Sequence, residues 1–173
     1  AEDTEADFND WYNNQHLAER VGVPGFLNGR RYIAIDGSAK YLAWYETETP
    51  EVLGSPAYGK RQANPTPWTE RIMPSFRNVT RVTAERLAKS GSGLAAITLT
   101  LQVRPLADRE DILAKALADA VETFNTDLSI VSAQAFRPSD ADAAKGTTEA
   151  NLRATQENPP TWGLVIEATT EAA

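Results

Sequence analysis

The stretch Phe8-Asn-Asp-Trp-Tyr-Asn-Asn-Gln-His16 sets aromatic side chains at helical spacing and ends on the only histidine of the chain. Side chains three and four residues apart share one face of a helix, and here that face carries Phe8, Trp11, Tyr12 and Gln15. His16 follows one turn after Tyr12, beside this aromatic wall. Because the ordinary pKa of histidine is about 6.5, His16 either exchanges protons near neutral pH or packs the end of the helix.

The helix around this stretch is predicted to begin near Thr4, a residue type that caps helices, and to end before Gly22. Pro24-Gly25 is the terminator. The next segments are rich in aromatic and β-branched residues, which indicates strands. They predict an antiparallel hairpin with strands at 27–35 and 40–47 and a turn at Asp36-Gly37.

The rest of the chain alternates between helical and extended patterns. The clearest of them is an apolar stripe at helical spacing over residues 108–124. The predicted helices are 50–63, 69–73 and 108–124, and the predicted strands are 79–87, 94–103 (well buried), 128–136 and 162–168. A polar surface excursion is expected over 137–160, with helix around 149–155.

Lys89-Ser-Gly-Ser-Gly93 is the predicted linker, because small flexible residues separate two periodic segments there. It divides the chain into a first domain, residues 1–89, and a second, residues 94–173. The element order predicts an α+β fold of two incomplete ferredoxin-like (β-α-β-β-α-β) units. The first lacks its opening strand, so we hypothesise that strand 164–168 fills that place, as in a circular permutation. Truncation at both ends is the competing hypothesis.

Composition excludes several classes of function. The chain of 173 residues is 42% hydrophobic and 24% charged, which is typical of a globular protein with a core. Its net charge of -7 argues against nucleic acid, and it has no cysteine and one histidine, so thiolate catalysis and multi-histidine metal sites are not expected. No apolar run approaches the roughly 20 residues that span a bilayer, and the first residues are acidic. We expect a cytoplasmic protein with no membrane or nucleic-acid partner.

The W-Y-x-x-x-H spacing of residues 11–16, followed by Val23-Pro-Gly-Phe26 and Arg30-Arg-Tyr32, resembles the dimeric α/β-barrel superfamily. Within it the match is to EthD-like proteins of ether and aromatic catabolism. The resemblance covers roughly residues 5 to 85, and the second half matches by element order alone. It implies antiparallel sheets that pair into an α/β barrel, either in a homodimer or between tandem units of one chain. It also makes His16 the residue to carry over as a catalytic acid or base.

The candidate site is therefore built on the first helix and the hairpin. His16 and Tyr12 are the candidate catalytic residues, and Glu19 or Arg20 could also orient the imidazole. Aromatic residues with polar tips suit a flat, partly apolar ligand, and ordinary core packing is the alternative for each of them. An arginine could bind a substrate carboxylate or form an ion pair. The candidate substrate-binding residues are Trp11, Arg30, Tyr32, Trp44 and Trp68.

Three functions remain open from the sequence. The first is a cofactor-free lyase, isomerase or cyclase that acts on a small aromatic or polyketide-like metabolite through proton transfer by His16. The second is a haem-binding protein with His16 as the axial ligand. The third is a non-catalytic module that dimerises through its barrel. No metal site is predicted.

Overall fold

The computed structural model describes residues 2–124, 126–139, 147–153 and 158–171, with side chains from residue 4 onward. Contacts divide the chain into two compact units. Unit 1 comprises residues 1–81 and 140–158, and unit 2 comprises residues 82–139 and 159–173. Both units contain helices and an antiparallel sheet, so the fold class is α+β.

The helices and strands follow one another in chain order. They are α1 (Glu2–Trp11), a π-helical turn (Tyr12–His16), α2 (Leu17–Val21), β1 (Phe26–Ile33), β2 (Tyr41–Thr47), a 3-10 turn (Pro50–Gly54), α3 (Pro56–Ala63), α4 (Pro67–Ile72), a second 3-10 turn (Met73–Ser75), β3 (Ala84–Ser90), β4 (Ile97–Val103), α5 (Glu110–Phe124), β5 (Ile130–Pro138), α6 (Thr148–Asn151) and β6 (Trp162–Ala168).

In unit 1 the N-terminal helical segment packs against one face of the β1–β2 hairpin. Gly29 permits this approach, because a Cβ atom there would lie 3.0 Å from both Leu17 and Tyr45. After α2 the chain turns at Gly25, whose φ of 92° lies in the left-handed region that glycine adopts without steric cost. The predicted helix terminator and hairpin are therefore confirmed.

The core of unit 1 is mainly aromatic. Trp11 is fully buried and packs with Tyr12, Ile72 and Met73. The rings of Phe8 and Phe76 surround this cluster, with centroids 6.3 and 6.1 Å from that of Trp11. The residues that the helical pattern placed on one face thus form the inner wall of unit 1.

Unit 2 is a four-stranded antiparallel sheet in the order β3-β5-β6-β4, with α5 against one face. Strands β4 and β5 are joined through α5, and β6 lies between them, which is a split β-α-β arrangement. The apolar stripe of α5 buries Leu117 and Val121 against small and branched residues of the sheet. Those residues are Ala133, Ala135, Leu164 and Ile166.

Three expectations from the sequence differ from the structure. Strand β4 was expected to be well buried, but it lies at the sheet edge, and Leu99 and Leu101 are 62% and 51% exposed. Strand β6 pairs with β4 and β5 in the described part of the chain, so the hypothesis that it completes the first half is wrong. Strand β3 begins at Ala84 instead of residue 79 and pairs with β5.

The pairing of β3 also changes where the chain divides. Residues 89–93 lie inside unit 2, where the first two end β3 and the others begin the connection to β4. The chain passes from unit 1 to unit 2 between Arg81 and Val82 instead of at that linker. Part of the expected surface excursion belongs to unit 1, where α6 lies in the predicted helical region and buries Glu149. Residues 140–146 and 154–157 of that excursion are outside the described residues. Neither of the two sheets closes into a barrel over the described residues.

Candidate functional site

The candidate catalytic residues occupy the two ends of a π-helical turn. The backbone N–H of Leu17 donates to the carbonyl of Tyr12, five residues earlier, which is the hydrogen bond that defines a π-helix. Such turns occur frequently at functional sites, because the extra residue redirects the side chains of an otherwise regular helix. Here Tyr12 and His16 are both buried in the turn.

The imidazole of His16 is held between two aromatic rings. Its centroid lies 4.2 Å from that of Trp11, with 34° between the planes, and 4.9 Å from that of Tyr12 in an edge-to-face contact. The residue is only 8% exposed. Its Nδ1 atom is buried and has no hydrogen-bond partner among the described residues. Nearly all buried polar atoms in proteins have a partner, so this nitrogen marks a place where a polar group of a ligand can bind.

Charged side chains from three helical segments gather beside His16. Arg20 of α2 is 4% exposed and donates through Nη2 to Oε2 of Glu149, which is 3% exposed. Arg61 of α3 lies with its Nη2 3.0 Å from Oε2 of Glu19. Arg153, which follows α6, places its guanidinium 5.8 Å from the ring centroid of Phe76. The site therefore combines buried positive charge with aromatic surface.

This environment determines the protonation of His16. Burial lowers the pKa of the imidazole well below its ordinary value, and the charges of Arg20, Arg153 and Arg61 lower it further. Both effects disfavour the cationic form. At neutral pH the ring is therefore neutral, with one N–H donor and one acceptor nitrogen. Burial has the opposite effect on Glu149, whose pKa it raises while Arg20 and Arg61 counteract the change.

Tyr12 keeps its phenolic proton next to His16. Burial raises the pKa of Tyr12, and burial also raises the pKa of Tyr45. The hydroxyl of Tyr45 donates to that of Tyr12 over 3.3 Å. Because Tyr12 accepts this hydrogen bond, its own O–H can donate to another group.

A hydrogen-bond network fixes the aromatic wall. The indole Nε1 of Trp11 donates to Thr69 Oγ1 over 3.2 Å, and Nε2 of Gln15 donates to the same oxygen over 3.1 Å. Gln15 also donates to Thr66, the N-cap residue of α4, over 2.7 Å. The network ties α4 to the π-helical turn and so restricts the position of the Trp11 ring.

The structure brings some of the predicted site residues together and separates others. Trp11 and Tyr12 contact His16, whereas Trp68 packs against the same core and donates to Oδ1 of Asp7 over 2.8 Å. Alternation along the paired strands places the remaining candidates on the hairpin face opposite the helices. These are Arg30, Tyr32 and Trp44.

The arginines of the hairpin have structural contacts. Arg30 pairs with Oε1 of Glu46 over 2.8 Å. Arg31, on the helix-facing side, lies over the rings of Phe8, Tyr12 and Tyr41 at 4.5 to 4.8 Å and donates to the side chains of two asparagines of the N-terminal helix. The ion-pair interpretation of Arg30 is thus the one that its contact with Glu46 favours.

Sequence reasoning missed three members of the charged cluster, namely Arg61, Glu149 and Arg153. Arg61 lies on a predicted helix, but no local pattern indicates that it faces His16. Glu149 and Arg153 come from a polar segment more than a hundred residues away in the chain, so only the tertiary fold brings them to the site. Glu19 and Arg20, three and four residues after His16, were the members that helical spacing indicated.

The described residues contain neither a cluster of metal ligands nor a helix that could span a membrane. Over the described residues, no group of three or more histidine, cysteine, aspartate or glutamate side chains could hold a metal ion. In the same part of the chain, no helix has the length and apolar character needed to cross a bilayer.

Comparison with known proteins adds no relative to this description. The chain matches no protein-family model, no curated protein and no solved structure. The function must therefore be argued from the geometry of the site.

Proposed function

We propose that this chain is a cofactor-free enzyme of the lyase, isomerase or cyclase type, which moves a proton on a small aromatic or polyketide-like metabolite. His16 is the proton-transfer group. The observation that carries the proposal is the buried, unpartnered Nδ1 of a neutral imidazole. A neutral imidazole can take a proton, and a nitrogen with no hydrogen-bond partner among the described residues is available to a substrate.

The reaction step follows from the two residues of the π-helical turn. His16 removes a proton from a carbon next to a carbonyl group, so that a C–H bond breaks and an N–H bond forms. The electron pair moves onto the carbonyl oxygen as an enolate, which accepts a hydrogen bond from the Tyr12 hydroxyl. Return of the proton to another atom completes an isomerisation. In a cyclisation the enolate attacks a second carbonyl of the same molecule, a C–C bond forms, and the imidazolium returns its proton to the resulting alkoxide.

The surroundings of His16 support such a substrate. The rings of Trp11 and Tyr12 offer flat apolar contacts, with centroids 4.2 and 4.9 Å from the imidazole. A positioned acid or base contributes typically about 10²- to 10⁴-fold to the rate. That contribution is sufficient for activated carbon acids such as aryl ketones and 1,3-dicarbonyl compounds.

Deuterium exchange tests this proposal without knowledge of the natural substrate. Phenylacetone in D₂O loses its benzylic proton signal in ¹H NMR when a base catalyses enolisation. We expect the wild type to accelerate the exchange and His16→Asn to lower that rate about 10²- to 10⁴-fold. Tyr12→Phe should lower it less, by about tenfold, because it removes one hydrogen bond to the enolate.

Tyr41→Phe is the matched control for the loss of a hydroxyl, because Tyr41 contacts Phe8 of the same cluster but donates to Glu5. It should leave the rate unchanged. A His16→Asn variant that retains the full exchange rate would show that the imidazole is not the base.

Haem binding is the second candidate, because the same unpartnered nitrogen of a neutral imidazole suits an axial ligand. His16 is the one residue of the chain that would ligate the iron as a histidine. A Soret band that develops on haem addition in the wild type, but not in His16→Asn, would favour this function over the enzyme.

The finer architecture is also a proposal. The resemblance to dimeric α/β barrels supports two ferredoxin-like units whose sheets pair into a barrel. The sheets would pair either between two copies of the chain or within one chain. The proposed location of the protein is the cytoplasm. If the chain is instead a non-catalytic module that dimerises in this way, His16→Asn should dimerise like the wild type. The two proteins should also give the same result in every activity assay. Light scattering after size-exclusion chromatography distinguishes a homodimer from a monomer.

A further inference from the structure

The charged cluster of unit 1 contains buried guanidinium N–H groups for which the described residues supply no acceptor. Nη1 of Arg20 and Nε of Arg61 have no hydrogen-bond partner among the described residues, and Nδ1 of His16 also has none. Arg20 and His16 are 4% and 8% exposed, so bulk water does not replace the missing partners. Buried guanidinium groups in proteins are normally fully engaged by carboxylates, carbonyls or phosphates.

Each carboxylate of the cluster already forms one ion pair. Oε2 of Glu149 accepts from Arg20, and Oε2 of Glu19 lies 3.0 Å from Nη2 of Arg61 without a hydrogen bond to any described residue. Oε1 of Glu149 has no partner either, but an acceptor oxygen with unused capacity is more common in proteins than an unused N–H donor. The donors of Arg20 and Arg61 therefore need an acceptor that these two carboxylates do not supply.

We propose that Arg20 and Arg61 bind the carboxylate of a small aromatic acid beside His16. Guanidinium groups recognise carboxylates through paired, charge-assisted hydrogen bonds. The apolar part of the ligand faces the rings of Tyr12 and Tyr58, which are 7% and 6% exposed, and Arg20 already lies 5.6 Å from the ring centroid of Tyr58. This inference rests on the proposed function in that it names the class of substrate for the same site.

A bound carboxylate would also make His16 a better base. Its negative charge offsets the arginines that lower the pKa of the imidazole, so the pKa rises towards its ordinary value. A base is most effective when its pKa lies near the working pH. The substrate thus raises the basicity of the group that acts on it. The charged groups that act on His16 are Arg20 of α2, Arg61 of α3 and Arg153, and Tyr12 contacts its ring. The titratable groups next to these residues are Glu149 and Tyr58 beside Arg20, Glu19 beside Arg61, and Tyr45 beside Tyr12.

NMR tests the site directly, because His16 is the only histidine and its ring signals need no assignment among others. The midpoint of the His16 titration is measured in the full chain with benzoate, with benzamide as its neutral analogue, and with inorganic phosphate. We expect benzoate to shift the signals saturably and to raise the midpoint. Benzamide should do neither, and phosphate should bind more weakly because it lacks the ring.

Variants identify the residues responsible. Arg61→Gln should weaken benzoate binding about tenfold, which corresponds to the loss of one charge-assisted hydrogen bond. Arg137→Gln is the matched control, because it makes the same change in charge at an exposed pair with Glu85 in unit 2. The double variant Arg20→Met/Glu149→Leu removes a buried pair together and should also weaken binding, which provides a second test if Arg61→Gln unfolds.

The possible outcomes separate this inference from the proposed function. If benzoate does not shift the His16 signals, or if Arg61→Gln and Arg137→Gln bind it equally, the carboxylate site is wrong even when phenylacetone exchange depends on His16. Tight phosphate binding without preference for benzoate also overturns it. If benzoate binds as expected while His16→Asn keeps the exchange rate, the carboxylate site stands and the proton-transfer function fails.

Discussion

The two units bury different kinds of side chain. In unit 2 the core is aliphatic, and α5 places Leu117 and Val121 against the sheet. In unit 1 the core is aromatic, and an ion pair and an imidazole are buried beside it. Over the described residues, only the interior of unit 1 buries several charged side chains close together.

The two units also differ in the hydrogen bonding of their buried polar groups. In unit 2 the buried hydroxyl of Ser90 donates to the carbonyl of Val121 over 3.2 Å, and that of Ser132 donates to Glu167 over 3.4 Å. Thr83 has a buried hydroxyl without a partner, but it is a neutral group. In unit 1 the unpartnered atoms include those of Arg20 and His16. Buried polar atoms without partners reduce stability, and over the described residues they are concentrated in unit 1.

The largest effect is expected from the buried ion pair of unit 1. Arg20→Gln leaves the carboxylate of Glu149 buried without its guanidinium, and breaking a buried pair in this way costs about 3–5 kcal/mol. Urea unfolding should therefore show a clear decrease in the free energy of unfolding. The double variant Arg20→Met/Glu149→Leu should recover most of it, because it removes both charges together.

An exposed pair of unit 2 is the control for this comparison. Arg137 and Glu85 are about half exposed and 2.9 Å apart, and such pairs contribute less than about 1 kcal/mol. Arg137→Gln should therefore change the stability only slightly. Equal losses for Arg20→Gln and Arg137→Gln would mean that the charges of unit 1 are solvated instead of buried.

The second-largest change in the free energy of unfolding is expected from the aliphatic core of unit 2. Leu117→Ala opens a cavity under α5 and should lower the free energy of unfolding by about 3 kcal/mol. Ile112→Ala, on the same helix but with a side chain that is 57% exposed, is the matched control and should cost less than about 1 kcal/mol. Chemical denaturation of both variants measures the contrast. A small loss for Leu117→Ala would contradict the assignment of this face as the core.

Local patterns predicted the elements in which one physical signal dominates. The apolar stripe of residues 108–124 and the Asp36-Gly37 turn with its flanking strands specify α5 and the β1–β2 hairpin almost residue by residue. Strand β4 was misjudged because Leu99 and Leu101 read as buried residues, and nothing local states that a strand lies at a sheet edge. Which strands pair depends on tertiary packing, which single-sequence periodicity does not contain.

The candidate site was likewise predictable only where local spacing determines a contact. Tyr12 and His16 are four residues apart, so helical spacing alone predicted their contact. Trp11 is five residues from His16, and its ring contacts the imidazole where the helix has a π-helical turn. Arg61 and Glu149 reach the site from α3 and α6, and their role depends on burial that no sequence pattern shows. Arg30, Tyr32 and Trp44 were proposed because of their residue types, but strand alternation places them on the other face of the hairpin.

The smallest effect is the pH dependence of stability that comes from the protonation of His16. Its pKa in the folded protein is well below that of an unfolded chain, which is about 6.5. Below that pH the unfolded state binds a proton that the folded state does not, so stability is complete above pH 6.5 and decreases as the pH falls. Linkage gives a loss of about 1 kcal/mol between pH 7.5 and 5.5.

His16→Asn removes this titration. The difference between the two proteins in urea unfolding therefore isolates the contribution of His16 from that of the carboxylates, which titrate at lower pH. If wild type and His16→Asn lose stability equally over this range, the imidazole titrates normally in the folded state, and the buried positive environment that distinguishes unit 1 from unit 2 does not act on it.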